Sequence, residues 1–213
     1  ILKGSRASRI SINPQSMNNE TLRLIGRNHT AEDIVRKFTL AREMGFDNIN
    51  MDIIAGLPGE SLAMFRNTLE CVSDLMPESL TVHTLSVKRA SRLKEAKEMH
   101  SFAGENDAEA MIEAARSCAE KMNMHPYYLY RQKNMLGNLE NVGYCKPGLE
   151  SVYNIQIMAE RQTIIALGAG AVTKAVYPGE NRIERAFNVK DIEEYISRLD
   201  EMAERKRLLL DMP

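Results

Sequence analysis

Two segments of this chain alternate apolar and polar residues with the period of a strand. In Arg9-Ile-Ser-Ile-Asn-Pro-Gln15, Ile10 and Ile12 share one face while Ser11, Asn13 and Gln15 share the other. In Asn48-Ile-Asn-Met-Asp-Ile-Ile-Ala-Gly-Leu-Pro-Gly-Glu60, Ile49, Met51 and Ile53 oppose Asn50, Asp52 and Ile54. Such strands meet apolar neighbours on one side and polar surroundings on the other, so both gather their polar groups on one side.

Between them the period becomes helical. Thr30 is an N-cap with Asp33 three residues on, Ile34, Phe38, Ala41 and Met44 form an apolar face, and Gly45 is a terminator. A second helix is predicted from about Ser61 to Leu75 with Phe65, Leu69 and Val72 inside, and then a strand over Ser79 to Ser86 with Leu80 and Val82 on one face. Strand, crossover helix and strand in alternation predict an α/β fold, a parallel sheet with helices outside. Ligands of such sheets sit at the carboxyl ends of the strands, where the βα loops and helix N-termini open. Gln15 and Asp52 are at those ends, and the Gly56-Leu-Pro-Gly59 turn lets the backbone take φ > 0 and approach a ligand closely.

Beyond residue 100 a helix is predicted from about Asn106 to Met122, burying Met111, Ile112, Ala115 and Ala119, and then an aromatic strand over Pro126 to Tyr130. A Gly- and Asn-rich loop from Leu136 to Gly148 reads as a lid. Two antiparallel strands follow, from about Gln162 to Val176 and Arg182 to Asn188, joined through the turn Tyr177-Pro-Gly-Glu-Asn181. A final helix runs from about Val189 to Leu209, with Ile192, Ile196, Leu199 and Met202 on its apolar face. Two regions result, 1–125 and 126–213.

Composition narrows the class. A chain of 213 residues fills one domain or a domain with an appendage. Its net charge of −1 gives no electrostatic reason to expect nucleic acid or an acidic membrane. No run approaches the ~18 apolar residues of a membrane span and no signal peptide is present, so a cytoplasmic setting is expected. Cys71, Cys118 and Cys145 stand far apart, without the spacing of a disulfide framework or a metal-ligand cluster. Cys71 and Cys118 fall on apolar helix faces as small core residues, whereas Cys145 is in a loop with its role open. Methionines are scattered on helix faces and read as core filler. His83 points inward by strand parity and reads as a satisfied interior histidine; His29 precedes the Thr30 cap and can orient its loop. Gly168-Ala-Gly170 lacks the third glycine of a dinucleotide fingerprint and continues as strand.

The chain begins at Ile1 with a strand that no crossover helix precedes, and three or four parallel strands cannot close a barrel or cover their edges. It is therefore expected to be the C-terminal part of a longer protein, and its bare sheet edge offers a route to a dimer.

Arg9-Ile-Ser-x-x-x-Gln15, Gly26-Arg27-x-His29-Thr30, Asp52-x-Ile54-x-Gly56-Leu57-Pro58-Gly59-Glu60 and Leu167-Gly-Ala-Gly-Ala-Val172 resemble the radical S-adenosylmethionine enzymes of the oxygen-independent coproporphyrinogen III oxidase (dehydrogenase) type. The stretch from Tyr130 to Cys145 is most similar to the branch found in clostridia and bacilli. The resemblance implies the C-terminal part of an incomplete (β/α)6 TIM-like barrel that holds a [4Fe-4S] cluster and S-adenosylmethionine at its top, followed by a small α+β segment. The CxxxCxxC loop that carries the cluster in that family is missing from this sequence. This chain alone is expected to be inactive.

By the resemblance, Gln15 and Asp52 match residues that hydrogen-bond the ribose hydroxyls of S-adenosylmethionine, a task that suits a carboxylate accepting from two adjacent hydroxyls. Arg27 matches the arginine that pairs with the methionine carboxylate, for which a guanidinium offers a two-donor fork. Ile54, Ser86 and Val172 match positions that line the adenine. The implied reaction is one-electron reduction of S-adenosylmethionine, hydrogen abstraction from a propionate of coproporphyrinogen III by the 5′-deoxyadenosyl radical, and loss of an electron and carbon dioxide to leave a vinyl group. An electron donor and a tetrapyrrole substrate are the implied partners. The basic segment Lys88 to Lys94, with Arg131 and Lys133, would face the substrate's carboxylates or form a solvated loop. Two alternatives share the same cofactor contacts: a non-catalytic haem-binding chaperone, and a radical enzyme with another substrate.

Overall fold

The computed structural model describes Gly4 and residues 7–86, 105–131 and 139–211. The basic segment Lys88 to Lys94, Lys133 and the first residues of the predicted lid lie outside the described residues. The chain forms two compact units, Ile1–Glu150 and Ser151–Pro213. The division drawn from the sequence after residue 125 falls inside the first unit, because the next two strands join its sheet.

Unit 1 runs β1 (Ile10–Gln15), α1 (Asn19–Leu24), α2 (Ala31–Glu43), β2 (Ile49–Ala55), α3 (Leu62–Leu75), β3 (Ser79–Thr84), α4 (Glu105–Lys121), β4 (His125–Tyr130) and β5 (Asn141–Cys145). The sheet order is β1-β2-β3-β5-β4. The first three strands are parallel as expected, and β5 and β4 extend the sheet antiparallel.

The local signals act as the sequence indicates. Thr30 Oγ1 accepts from Asp33 N at 3.2 Å while Asp33 Oδ2 accepts from Thr30 N at 3.2 Å, a complete capping box at the start of α2. Ser61 caps α3 by accepting from Met64 N. Ile49, Met51, Ile53, Leu80 and Val82 are wholly or almost wholly buried on the helix-covered face, in one cluster with Phe38 of α2, Phe65, Leu69 and Val72 of α3, and Met111, Ala115 and Ala119 of α4. Burying each large side chain of this kind contributes about 1.5–3 kcal/mol. Cys71 and Cys118 pack against this cluster.

Two departures concern unit 1. Part of the predicted lid, 141–145, is the interior strand β5. The alternation of β1 breaks between Ile12 and Gln15: Ile12 pairs with Met51 but Gln15 with Ile53, so β1 carries an extra residue, and Gln15 takes φ 68°. Parity therefore does not extend from Ser11 to Gln15.

Unit 2 contains α5 (Val152–Ala159), β6 (Val172–Tyr177), a 3-10 turn over Pro178–Glu180, β7 (Arg182–Phe187), α6 (Ile192–Ser197) and α7 (Leu199–Leu210). The antiparallel pair β6-β7 and its turn match the expectation. The first strand is shorter than predicted, starting only after Gly168 and Gly170, both at positive φ. The final helix breaks at Arg198, whose φ of −116° and ψ of 29° leave the helical region. α7 packs on β6 and β7 through Met202 and Leu209, and buried Lys206 donates to Asn188 Oδ1 at 2.9 Å and Met202 O at 3.1 Å. No helix among the described residues is long and apolar enough to cross a membrane.

Candidate functional site

The face of the unit 1 sheet turned away from the apolar cluster carries a hydrogen-bonded row of polar side chains. Asn50 Nδ2 donates to Ser11 Oγ at 2.9 Å and to Asp52 Oδ1 at 2.6 Å, and its Oδ1 accepts from Thr81 Oγ1 at 3.2 Å. Tyr128 OH is 3.3 Å from Thr81 Oγ1. Farther along the strands, His83 Nε2 stands 3.8 Å from Asp52 Oδ2, an ion-pair distance too long for a hydrogen bond, and His83 Nδ1 is 3.3 Å from Tyr130 OH. Parallel registry puts Asp52 beside Thr81 and Ile54 beside His83. Side chains from β1, β2, β3 and β4 thus form one polar surface.

Gly143 makes room for it. A Cβ there would come within 1.8 Å of Tyr128 Cε1, so the Tyr128 ring lies over the glycine and reaches Thr81 across β5. Tyr128 and Tyr130 stack with centroids 6.3 Å apart. Burial pushes the Tyr128 hydroxyl up to about 12, which keeps it neutral. For Asp52 burial acts upward, but His83 and the Asn50 hydrogen bond outweigh it and hold the carboxyl below its usual range. The surface therefore offers an oriented carboxylate at neutral pH.

At the strand ends, Gly56 and Gly59 take φ of 84° and 71°, as the turn requires. The turn delivers Glu60 into the interior, 4% exposed, where Ser16 Oγ donates to its Oε1 at 2.6 Å. Glu60 Oε2 is buried with no hydrogen-bond partner among the described residues, and burial raises this carboxyl to about 7 despite the Ser16 hydrogen bond.

The other site residues anticipated from the sequence are placed as follows. Gln15 is buried, level with Ile53 rather than Asp52, with its Nε2 3.5 Å from Asn13 O. Arg27 is exposed just beyond α1 and makes no ion pair with a described residue. His29 Nε2 bonds Pro14 O at 3.3 Å and so ties the loop bearing Arg27 to the end of β1. Ile54 is half-buried, Ser86 is half-buried beyond β3, and Val172 opens β6 in unit 2. Asp52 meets Asn50 and His83. The sequence pattern places Asn50 only in the polar parity and gives no role to Thr81, Tyr128, Tyr130 or Gly143. Thr81 shares strand parity with His83, and Tyr128 with Tyr130, the one sequence signal that could have found them.

A half-buried carboxylate among hydrogen-bonding groups, flanked by a half-buried aliphatic side chain and a glycine turn, fits a ligand with adjacent hydroxyls and a flat ring. The same residues do not fit an iron–sulfur cluster: the three cysteines are dispersed over α3, α4 and β5.

Comparison with known proteins gives the following similarities. Residues 1–72 match the Radical SAM superfamily. The chain is 51% identical over 198 residues to the oxygen-independent coproporphyrinogen-III oxidase-like protein HemZ of Bacillus subtilis, covering 93% of this chain and 40% of that protein. It is 30% identical over 204 residues to the heme chaperone HemW of the same organism, covering 94% of this chain and 48% of that protein. The chain thus spans less than half the length of these relatives. Among solved structures, coproporphyrinogen III oxidase (HemN) from Escherichia coli superposes with a TM-score of 0.67 at 18% identity over 94% of this chain and 45% of that one, which shows a common fold.

Proposed function

We propose that this chain, whose first 72 residues belong to the radical SAM superfamily and which is related along its length to the oxygen-independent coproporphyrinogen III oxidase-like proteins, carries the ribose-binding wall of an S-adenosylmethionine site. The observation that carries the reading is the Asp52 carboxylate, held ionised by Asn50 and His83 in the middle of parallel strand β2, three residues before its carboxyl end and not at that end as the sequence suggested. Asp52 accepts from the ribose hydroxyls, with Gln15 as a second ribose contact. Arg27 pairs with the methionine carboxylate, and Ile54 and Ser86 line the adenine. Bound beside a cluster held by another part of the protein, S-adenosylmethionine supplies hydrogen-abstraction chemistry, while this chain's residues bind it, orient it and exclude water.

For the whole protein the substrate reading is coproporphyrinogen III, with oxidative decarboxylation of propionates to vinyl groups in a cytoplasmic, electron-donor-dependent reaction. It rests on the 51% identity to a protein named for likeness to that oxidase. A second reading, a non-catalytic haem-binding chaperone, is favoured by the similarity to the heme chaperone HemW. Anaerobic incubation of the full-length protein with coproporphyrinogen III, S-adenosylmethionine and a one-electron reductant separates them. Carbon dioxide and protoporphyrinogen IX formed over several turnovers support the oxidase; stoichiometric haem binding without decarboxylation supports the chaperone.

A further inference from the structure

The opposite end of the unit 1 sheet, level with the start of β3, holds a group of side chains that S-adenosylmethionine binding does not use. His125, the first residue of β4, pairs with Cys145, the last of β5. Glu150 returns to them after a turn in which Gly148 N donates to its Oε1 at 3.2 Å, and His125 Nε2 lies 3.1 Å from the same oxygen. One ligand atom from each of the three residues lies within 4.8 Å of the other two.

We propose that His125 Nε2, Cys145 Sγ and the Glu150 carboxylate form a binding site for one zinc-class divalent cation, with a fourth position left to water. An imidazole nitrogen, a thiolate and a carboxylate are the donor types a borderline cation takes. Tetrahedral bonds of about 2.0–2.3 Å put donors about 3.3–3.7 Å apart, so the His125–Glu150 pair already stands near its final separation. The thiol needs a shift of only about 1 Å to close the set.

Burial supports the same assignment. Cys145 is 0% exposed and closes one side of the group, on the sheet face turned away from the apolar cluster, while the His125 side chain is 44% exposed and leaves the other side to solvent. As the metal–sulfur bond forms, the thiol proton leaves to solvent, and thiolate plus carboxylate neutralise the dication. Burial and the Glu150 carboxylate push the empty site's Cys145 thiol up to about 11, so the cation itself must draw off the proton; the Arg9 guanidinium acts in the same sense as the cation and is fixed by donating to Asn48 Oδ1 at 3.2 Å, Ser79 Oγ at 2.9 Å and Leu149 O at 3.3 Å. Bound metal would fasten β4, an edge strand, to the last residue of unit 1. The His–Cys pairing spans a hairpin, which is why chain spacing gave no sign of it.

The test uses the purified 213-residue chain. After equilibration with zinc and removal of free metal, elemental analysis should find one zinc per chain, and cobalt substitution should give a thiolate-to-cobalt charge-transfer band. Cys145→Ser should abolish the band, and Cys145→Ser and His125→Gln should each weaken zinc binding by at least about tenfold, with circular dichroism unchanged. The double variant Cys71→Ser, Cys118→Ser should keep both signals. Should Cys145→Ser fail to fold, His125→Gln on the exposed edge decides alone. Wild-type chain without retained zinc, or metal held undiminished in folded His125→Gln, overturns the proposal.

Discussion

Asp52 Oδ2 faces His83 Nε2 at 3.8 Å across adjacent parallel strands, while Asn50 Nδ2 holds the other carboxylate oxygen at 2.6 Å. One carboxylate oxygen is thereby held by a hydrogen bond before any ligand arrives, and the other is left open beside His83. Preorganisation of this kind removes the ordering cost from binding.

His83 should also set the acidity of Asp52. Burial pushes the carboxyl up and the surrounding hydrogen bonds and the His83 charge bring it net below its ordinary value, so its contribution to stability is present above about pH 4 and is lost as the pH falls. His83→Gln removes the imidazole and should raise the Asp52 pKa. A carbon NMR titration of the Asp52 carboxyl reads this directly; an identical curve in the variant would detach His83 from that role.

Glu60 should give the opposite pH dependence. Its folded-state value, about 7, lies above the ordinary 4.5, so its contribution is complete below about pH 4.5, declines as the pH rises, and is gone above about 7. The span corresponds to up to about 3 kcal/mol. Denaturant midpoints at pH 5 and pH 8 should differ more in wild type than in Glu60→Gln. Equal differences in the two proteins would place the titration elsewhere.

Gly143→Ala should destabilise unit 1 by about 1–3 kcal/mol, because the new methyl meets the Tyr128 ring at 1.8 Å. In a Tyr128→Ala background the same change should cost far less. Chemical denaturation of the four proteins measures the coupling, and additive costs would mean that the ring does not impose the glycine.

Thr30→Ala should cost about 1 kcal/mol through loss of the α2 cap, with Thr30→Ser close to neutral, measured as a shift in denaturation midpoint.

The elements legible in the sequence were those whose signals are local. Thr30 and Asp33 announce α2 because the capping box is made within one turn, and Phe65, Leu69 and Val72 announce α3 because all three face one cluster. β5 escaped because its residues answer to neighbours far along the chain. Asn141 is buried to accept from Thr84 N at 2.8 Å, and Gly143 sits beneath Tyr128, so a strand took on the composition of a loop. Gln15 lost its parity to an extra residue in β1 that no alternation pattern reveals. Asp52 was identifiable from its polar parity, although it lies in mid-strand and not at the strand end; its partners His83 and Asn50 become a constellation only once strand registry is known.

The most direct measurement is the equilibrium affinity of the full-length protein for S-adenosylmethionine, by anaerobic calorimetry, in wild type and in Asp52→Ala, Asp52→Asn and Arg27→Ala. Loss of a charged hydrogen-bond acceptor should weaken binding about tenfold to a hundredfold in Asp52→Ala, with Asp52→Asn between it and wild type. Arg27→Ala should weaken S-adenosylmethionine while sparing a nucleoside that lacks the methionine carboxylate. Unchanged affinity in all three folded variants would contradict the assignment of this polar face as the cofactor wall.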